Sequence, residues 1–95
     1  MRFPVGIFRA RDRSMEPSIL PGDFLIVSRS SKRLRVGDMV VLRHPTMSMH
    51  IVKRISAISN SKVFVTGDNK AESEDSRKFG SVGQRSIIGK IVFKI

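Results

Sequence analysis

Short apolar runs separated by turn residues recur along the chain. Six stretches have this character: residues 4–10, 24–27, 39–42, 50–58, 62–66 and 86–95. They are rich in β-branched residues and short for helices, and Gly-Asp pairs mark several of their ends. Each stretch is therefore predicted to form a strand.

A sustained helical period is absent from every segment of ten or more residues. Residues 72–80 (ESEDSRKFG) have room for a single helical turn. Five to seven short strands suit an all-β fold, a small antiparallel and partly closed coiled sheet or barrel with little or no helix. A chain of 95 residues is expected to form one domain, residues 1–95.

The composition is that of an ordinary globular domain, with 40% hydrophobic and 27% charged residues. The chain has no cysteine, which excludes disulfides, thiolate metal sites and a cysteine nucleophile. It has no apolar run near the ~20 residues of a membrane span and no signal-peptide core. We therefore expect a soluble, cytoplasmic protein, and peripheral association with a membrane surface stays open.

The chain is strongly basic, with 18 Lys and Arg against 8 Asp and Glu and a formal charge of +10. Such a surface attracts phosphate backbones and anionic lipid headgroups without reading a sequence. The densest cluster is SRSSKRLR, residues 28–35, and no aromatic residue interleaves with it. Because the cluster offers no aromatic side chains on which bases could stack, no nucleic-acid partner is expected. Salt-dependent nucleic-acid binding is kept only as an alternative.

Lys53 lies within a predicted strand, on the face of that strand that is the better candidate for packing into the core. Strand side chains alternate, so Ile51, Lys53 and Ile55 point one way while His50 and Val52 point the other. Burial disfavours the ammonium form and lowers a lysine pKa, and a lysine that is neutral near pH 7 is a usable general base. In the alternative, Lys53 extends to the sheet edge and Val52 faces inward.

A lysine base needs a nucleophile within about 3 Å, as in serine–lysine acyl-transfer sites. Ser14 is the candidate, and its separation from Lys53 leaves room for two strands. A Ser–His–acid triad competes, since His44 and His50 are present, although His50 would face away from Lys53. No usual metal-ligand spacing occurs, so no metal site is expected.

Three stretches in order resemble the sequence boxes of type I signal peptidases. SMEPSILPGDFLIV (residues 14–27) is similar to the box that carries their nucleophile, and HIVKRI (50–55) to the box of their general-base lysine. GDNKAESEDSRKFGSV (67–82) is similar to their last box almost position for position, and IIGKIVF (87–93) fits their final strand. The ordered set is far more specific than any one box.

The resemblance implies a serine endopeptidase with a Ser/Lys dyad and no cofactor. Ser14 would be the nucleophile and Lys53 the base. Ser73 matches the family serine that hydrogen-bonds and orients the lysine. Asp75 and Arg77 match a structural ion pair that supports the last box.

The resemblance also implies a substrate, an extended peptide lying along a strand edge with small residues before the scissile bond. Met15 and Pro17, beside the nucleophile, would help to bind it. Where the family inserts a second β domain, this chain has only SAISNSK (56–62), and the family's membrane anchor has no counterpart in these residues. With LRHP before the lysine box, these features resemble small soluble proteases that mature nickel-type superoxide dismutase.

The function expected from this resemblance is removal of an N-terminal extension or leader from a partner protein, with a nickel superoxide dismutase precursor as candidate. A membrane-associated processing enzyme and a non-catalytic peptide-binding module of the same fold are the alternatives. Asp12 is relevant to the non-catalytic alternative, because signal peptidases carry Gly or Ser at that position and the serine hydroxyl helps to form the oxyanion hole. A carboxylate there would repel an oxyanion. We expect the Asp12 side chain to point away, leaving the Ser14 N–H as the main donor.

Overall fold

The computed structural model describes residues 4–29 and 33–95. Within these ranges seven strands pair antiparallel in one curled half-barrel sheet, in the order β1-β2-β7-β3-β4-β5-β6. The strands are β1 (Val5–Arg9), β2 (Phe24–Ser28), β3 (Met39–Arg43), β4 (His50–Ser59), β5 (Lys62–Thr66), β6 (Val82–Gly83) and β7 (Ile87–Lys94). The helical segments are α1 (Ser76–Phe79) and two short 3-10 turns (Lys70–Glu72 and Gln84–Ser86). The predicted all-β fold is confirmed.

All six predicted strands are present, and the single helical turn expected at residues 72–80 is α1. Only the short strand β6 had no counterpart in the prediction. Two residues are too few for an apolar alternation to show in the sequence. In the structure β6 forms because Val82 lies opposite Val63 of β5 and packs into the core.

The two Gly-Asp turns predicted from the sequence share one geometry. Gly22 and Gly37 have φ of 94° and 98°, a region that costs glycine little and other residues more. The aspartates that follow, Asp23 and Asp38, each accept a hydrogen bond at 2.8 Å from the backbone N–H three residues earlier. These turns deliver the chain into β2 and β3.

Adjacent residues of β3 face two separate cores. Val40 and Leu42 point to one face of the sheet, and Val41 points to the other. The first core consists of Val40, Leu42, Ile51, Ile55, Val63, Val65 and Val82. The second core consists of Ala10, Met15, Ile19, Leu25, Val27 and Val41. The central strands are therefore covered on both faces, as far as the described residues show.

The basic surface is only partly offset by ion pairs. Lys90 pairs with Asp38 at 3.3 Å and Lys94 with Asp23 at 3.7 Å. Residues 30–32 of the basic cluster noted at residues 28–35 lie outside the described residues. In the part of the chain that the structure describes, no helix has the length and apolarity to cross a membrane.

Candidate active site

Ser14 lies in the loop between β1 and β2, and hydrogen bonds join this loop to the segment that follows β5. The carbonyl oxygen of Ser14 accepts a hydrogen bond from the backbone N–H of Asn69 at 2.8 Å. The Asn69 side-chain amide donates to the carbonyl oxygen of Arg13 at 3.0 Å. Both contacts come from the GDN segment after β5. They hold Ser14 and Met15 in a buried position, each with 2% of its surface exposed.

Lys53 lies in β4 and is buried on the face of the first core. It has 2% of its surface exposed and stands directly across from Val40. The alternative in which it extends to the sheet edge is therefore wrong, although Val52 does pack against the second core. Desolvation by burial lowers the pKa of Lys53, while the carboxylates of Asp12 and Asp75 act in the opposite direction.

Gly67 allows the loop of Ser14 to meet the sheet beside Lys53. Arg54 pairs with Thr66, so the antiparallel register continued by one residue places Gly67 next to Lys53. A Cβ atom built on Gly67 would lie 2.6 Å from the Ser14 carbonyl oxygen and closer still to Ser73 Oγ. Because only glycine leaves this space free, Ser14, Ser73 and Lys53 all gather around one backbone position.

The contact of Asp12 corrects the expectation from the sequence. Its carboxylate points toward Ser14, and Oδ1 accepts hydrogen bonds from Ser14 Oγ at 2.8 Å and from Ser14 N–H at 3.0 Å. The physical reason is local: an aspartate two residues before an N–H closes a short side-chain-to-backbone turn. Among the described residues, Ser14 and Lys53 are not hydrogen-bonded to each other in this arrangement.

Ser73, Asp75 and Arg77 form one hydrogen-bonded network beside this site. Ser73 Oγ donates to Asp75 Oδ2 at 2.7 Å; the predicted bond from Ser73 to the lysine is not formed within the described residues. The ion pair expected between Asp75 and Arg77 is present at 2.9 Å. Burial would raise the pKa of Asp75, but hydrogen bonds from Arg77, Ser73 and the Gly67 N–H outweigh it and hold that pKa well below its usual range.

A second ion pair, not predicted from the sequence, ties β4 to the loop of Ser14. Arg54 donates to both carboxylate oxygens of Asp68, at 2.9 and 2.8 Å, and Ser18 Oγ donates to the same carboxylate. The hydrogen bonds from Arg54 and Ser18 lower the pKa of Asp68 against the effect of burial. No sequence signal marked this pair, because Arg54 and Asp68 lie on separate segments that only the folded sheet brings together.

A cleft of about 390 Å³ adjoins the loop of Ser14 on the face of the second core. Its residues are Phe8, Arg9, Ala10, Arg11, Asp12, Met15, Ile19, Val41, Met49, His50, Ile51 and Val52. Met15, expected to bind substrate, lines this cleft, whereas Pro17, expected to do the same, is exposed and does not. The lining combines apolar side chains with two arginines and the carboxylate of Asp12.

Neither histidine contacts Ser14. His50 lies with Val52 on the face opposite Lys53, as predicted, and packs edge-on against Phe8 with ring centroids 5.6 Å apart. His44 Nδ1 accepts backbone N–H bonds from the two residues Thr46 and Met47 in its own turn. Both histidines therefore have other partners, and the geometry gives no support to a Ser–His–acid triad.

The arrangement is that of a buried amine next to a serine loop on a small β scaffold. No curated protein matches the chain. The family match covers nearly its whole length and identifies a peptidase-type fold, which is a coarser statement than the resemblance to type I signal peptidases or to maturation proteases. With its model matching residues 3–92, the chain belongs to the Peptidase S24-like family.

Proposed function

We propose that the protein is a serine endopeptidase in which Ser14 is the nucleophile and Lys53 the general base. The observation that carries this proposal is the burial of Lys53 on an apolar face, with a lowered pKa, beside the backbone position where the Ser14 loop docks. Burial disfavours the ammonium form in such a place. A neutral amine there has a chemical use.

The chemistry follows from these two groups. Neutral Lys53 Nζ takes the proton of Ser14 Oγ as the oxygen attacks a peptide carbonyl carbon. The tetrahedral intermediate collapses, the C–N bond breaks, and the Lys53 ammonium returns the proton to the leaving amine. Water then gives a proton to Lys53 and attacks the acyl ester, and Ser14 Oγ regains its proton when it leaves.

Ser14 reaches this geometry by turning its hydroxyl from Asp12 toward Lys53. Side-chain hydroxyls rotate readily, and catalytic hydrogen bonds often tighten only in a substrate complex. The Ser14 N–H would then donate to the oxyanion. Ser73 would act through Asp75, as a residue that positions the lysine side of the site, and Asp75 and Arg77 would support it.

The substrate in this proposal is an extended peptide held in the cleft beside Met15. Backbone groups at the end of β1 and at the start of β4 flank that cleft and suit strand addition. The narrower proposal, removal of a short N-terminal extension from a partner such as a nickel superoxide dismutase precursor, rests on the sequence resemblance to maturation proteases. No cofactor is proposed.

The test is cleavage of candidate precursors followed by sequencing of the new N-termini. We expect one defined cleavage, lost in both Ser14→Ala and Lys53→Ala. Ser81→Ala and Lys62→Ala, at exposed positions away from the site, are the matched controls and should cleave normally. Equal turnover in wild type, Ser14→Ala and Lys53→Ala would refute the proposal.

A second candidate, a non-catalytic peptide-binding module, is favoured by one observation. Asp12 occupies both the hydroxyl and the N–H of Ser14, which are the groups acyl transfer requires. This candidate predicts peptide binding in the cleft that Ser14→Ala leaves unchanged, with no cleavage by any variant.

A further inference from the structure

Asp12 holds both groups of Ser14 that the proposed reaction uses. Its Oδ1 accepts from Ser14 Oγ at 2.8 Å and from Ser14 N–H at 3.0 Å. The neighbouring Arg13 pairs with Glu16 at 3.2 Å and not with Asp12. Among residues 4–29 and 33–95, no ion pair offers Asp12 a cation in place of these two donors.

These contacts oppose acyl transfer in two ways. A hydroxyl that donates to a carboxylate does not present its proton to Lys53. An N–H that binds a carboxylate oxygen does not bind the oxyanion of a tetrahedral intermediate, and the two negative charges would repel each other at that distance. Acyl transfer at Ser14 therefore requires the Asp12 carboxylate to move away first.

The carboxylate can leave without disturbing the loop. Asp12 is exposed and lines the cleft, whereas Ser14 is buried. Ser14 keeps its hydrogen bond from the Asn69 N–H at 2.8 Å, and the Met15 carbonyl oxygen keeps its bond from the Ile19 N–H at 3.0 Å. Rotation of one exposed side chain is enough to free the Ser14 hydroxyl and N–H.

We propose that Asp12 is a built-in restraint on Ser14, an autoinhibitory carboxylate that a bound peptide displaces when its carbonyl oxygen takes the Ser14 N–H. The inference rests on the proposed function. Asp12 is a positioning residue in this scheme, since it acts on the nucleophile and leaves before the reaction. It makes the resting enzyme slow and makes turnover depend on a substrate that fills the cleft beside it.

The activity test compares Asp12→Ser and Asp12→Asn with wild type on the same precursor. Asp12→Ser removes the carboxylate, and Asp12→Asn keeps an acceptor without its charge. We expect kcat to rise at least ~tenfold in Asp12→Ser and less in Asp12→Asn, because one oxyanion donor is worth ~10²–10³ in rate. Glu16→Gln, which removes a nearby exposed carboxylate that does not touch Ser14, should leave kcat unchanged.

A second measurement distinguishes restraint of Ser14 by Asp12 from a purely structural role of Asp12. Lys53 faces four charged groups, with the carboxylates of Asp12, Asp75 and Glu74 raising its pKa and the Arg77 guanidinium lowering it. Neutralising Asp12 should therefore move the acidic limb of the pH–rate profile to lower pH, and Glu16→Gln should not. A loss of folding would move the thermal midpoint and not this limb.

A third measurement tests the contact without any substrate. The backbone amide resonance of Ser14 should move in Asp12→Ser, which removes the carboxylate acceptor, and should stay near its wild-type position in Glu16→Gln. Equal or lower kcat in both Asp12 variants, with cleavage still abolished by Ser14→Ala, would overturn the restraint alone. Absence of cleavage in wild type and in every variant would instead overturn the proposed function, and a Ser14 amide resonance that is the same in wild type and Asp12→Ser would overturn the contact.

Discussion

Lys53 stands directly across from Val40 in the β3–β4 pair, so an amine forms part of the wall of the first core. Both residues are buried, at 2% and 0% exposure. Desolvation by burial lowers the pKa of this lysine. The position is therefore expected to cost stability whenever the amine is charged.

Replacement of Lys53 by methionine should stabilise the fold at neutral pH. A buried charge exchanged for an apolar chain of similar volume commonly gains about 1–3 kcal/mol. The folded pKa is below the unfolded value of ~10.4, so between the two the unfolded chain binds more protons and stability rises with pH. Urea unfolding of both proteins from pH 6 to 10 should show the advantage of Lys53→Met shrinking as pH rises. A constant difference would contradict a lowered pKa.

Cleavage by the wild-type enzyme should rise with pH through the lowered pKa of Lys53. Desolvation by burial lowers this pKa, and Asp12 is the largest of the influences that partly restore it. Only the neutral amine accepts the proton of Ser14, so kcat should increase along that limb. The profile of kcat between pH 5 and 10 is the measurement, and a flat profile would transfer the base role away from Lys53.

Substitution of Gly67 by alanine should damage both fold and activity. The new Cβ would lie 2.6 Å from the Ser14 carbonyl oxygen and would also meet Ser73 Oγ, so the serine loop would have to shift. Overpacking of this kind typically costs about 1–3 kcal/mol. Gly83→Ala is the matched control, since a Cβ there meets nothing within 4 Å. Equal thermal midpoints for the two variants would contradict the close approach.

Neutralising Asp75 should lower the free energy of unfolding at neutral pH, and this loss should shrink in acid. Asp75→Asn loses the charge that accepts from Arg77, Ser73 and Gly67, for about 2–3 kcal/mol given that Arg77 is partly exposed. Because the folded pKa of Asp75 is depressed, its contribution is full above the unfolded value of ~3.9 and is lost as pH falls through the folded one.

The control for this prediction is Glu74→Gln, at an exposed pair with Lys78 whose side chains are 71% and 72% exposed. Such pairs contribute little to stability. Chemical unfolding at pH 7 and pH 3 should show a gap between Asp75→Asn and wild type that narrows in acid. Glu74→Gln should stay near wild type at both pH values, and a gap of equal size at pH 3 would speak against the depressed pKa.

The strand pattern could be predicted because it follows from side-chain alternation. For Lys53, alternation left two positions open, the core face of Ile51 and Ile55 or the sheet edge, and the structure places it on the core face. The contacts of Asp12 and Ser73 could not be predicted in the same way. They depend on which acceptor a short polar side chain finds first, and in both cases a carboxylate two residues away, Asp12 for Ser14 and Asp75 for Ser73, is nearer than the lysine.

The ion pair of Arg54 with Asp68 was missed for a related reason. It joins β4 to the segment after β5, and sequence distance gave no hint that Ser18 of the first loop would donate to the same carboxylate. Contacts that join three separate segments of the chain depend on how the sheet curls. The family of the chain was identified by its overall match, which is broader than the likeness of three sequence boxes.

The division of β3 between two cores has a consequence for how the protein comes apart. Val40 and Val41 are successive residues, yet each belongs to a different apolar cluster. Disruption of either apolar cluster would also withdraw β3 from the other cluster. The domain should therefore unfold as one cooperative unit. In native-state hydrogen exchange, the amides of β3 should report the global unfolding free energy, and destabilising changes in either cluster should lower their protection equally.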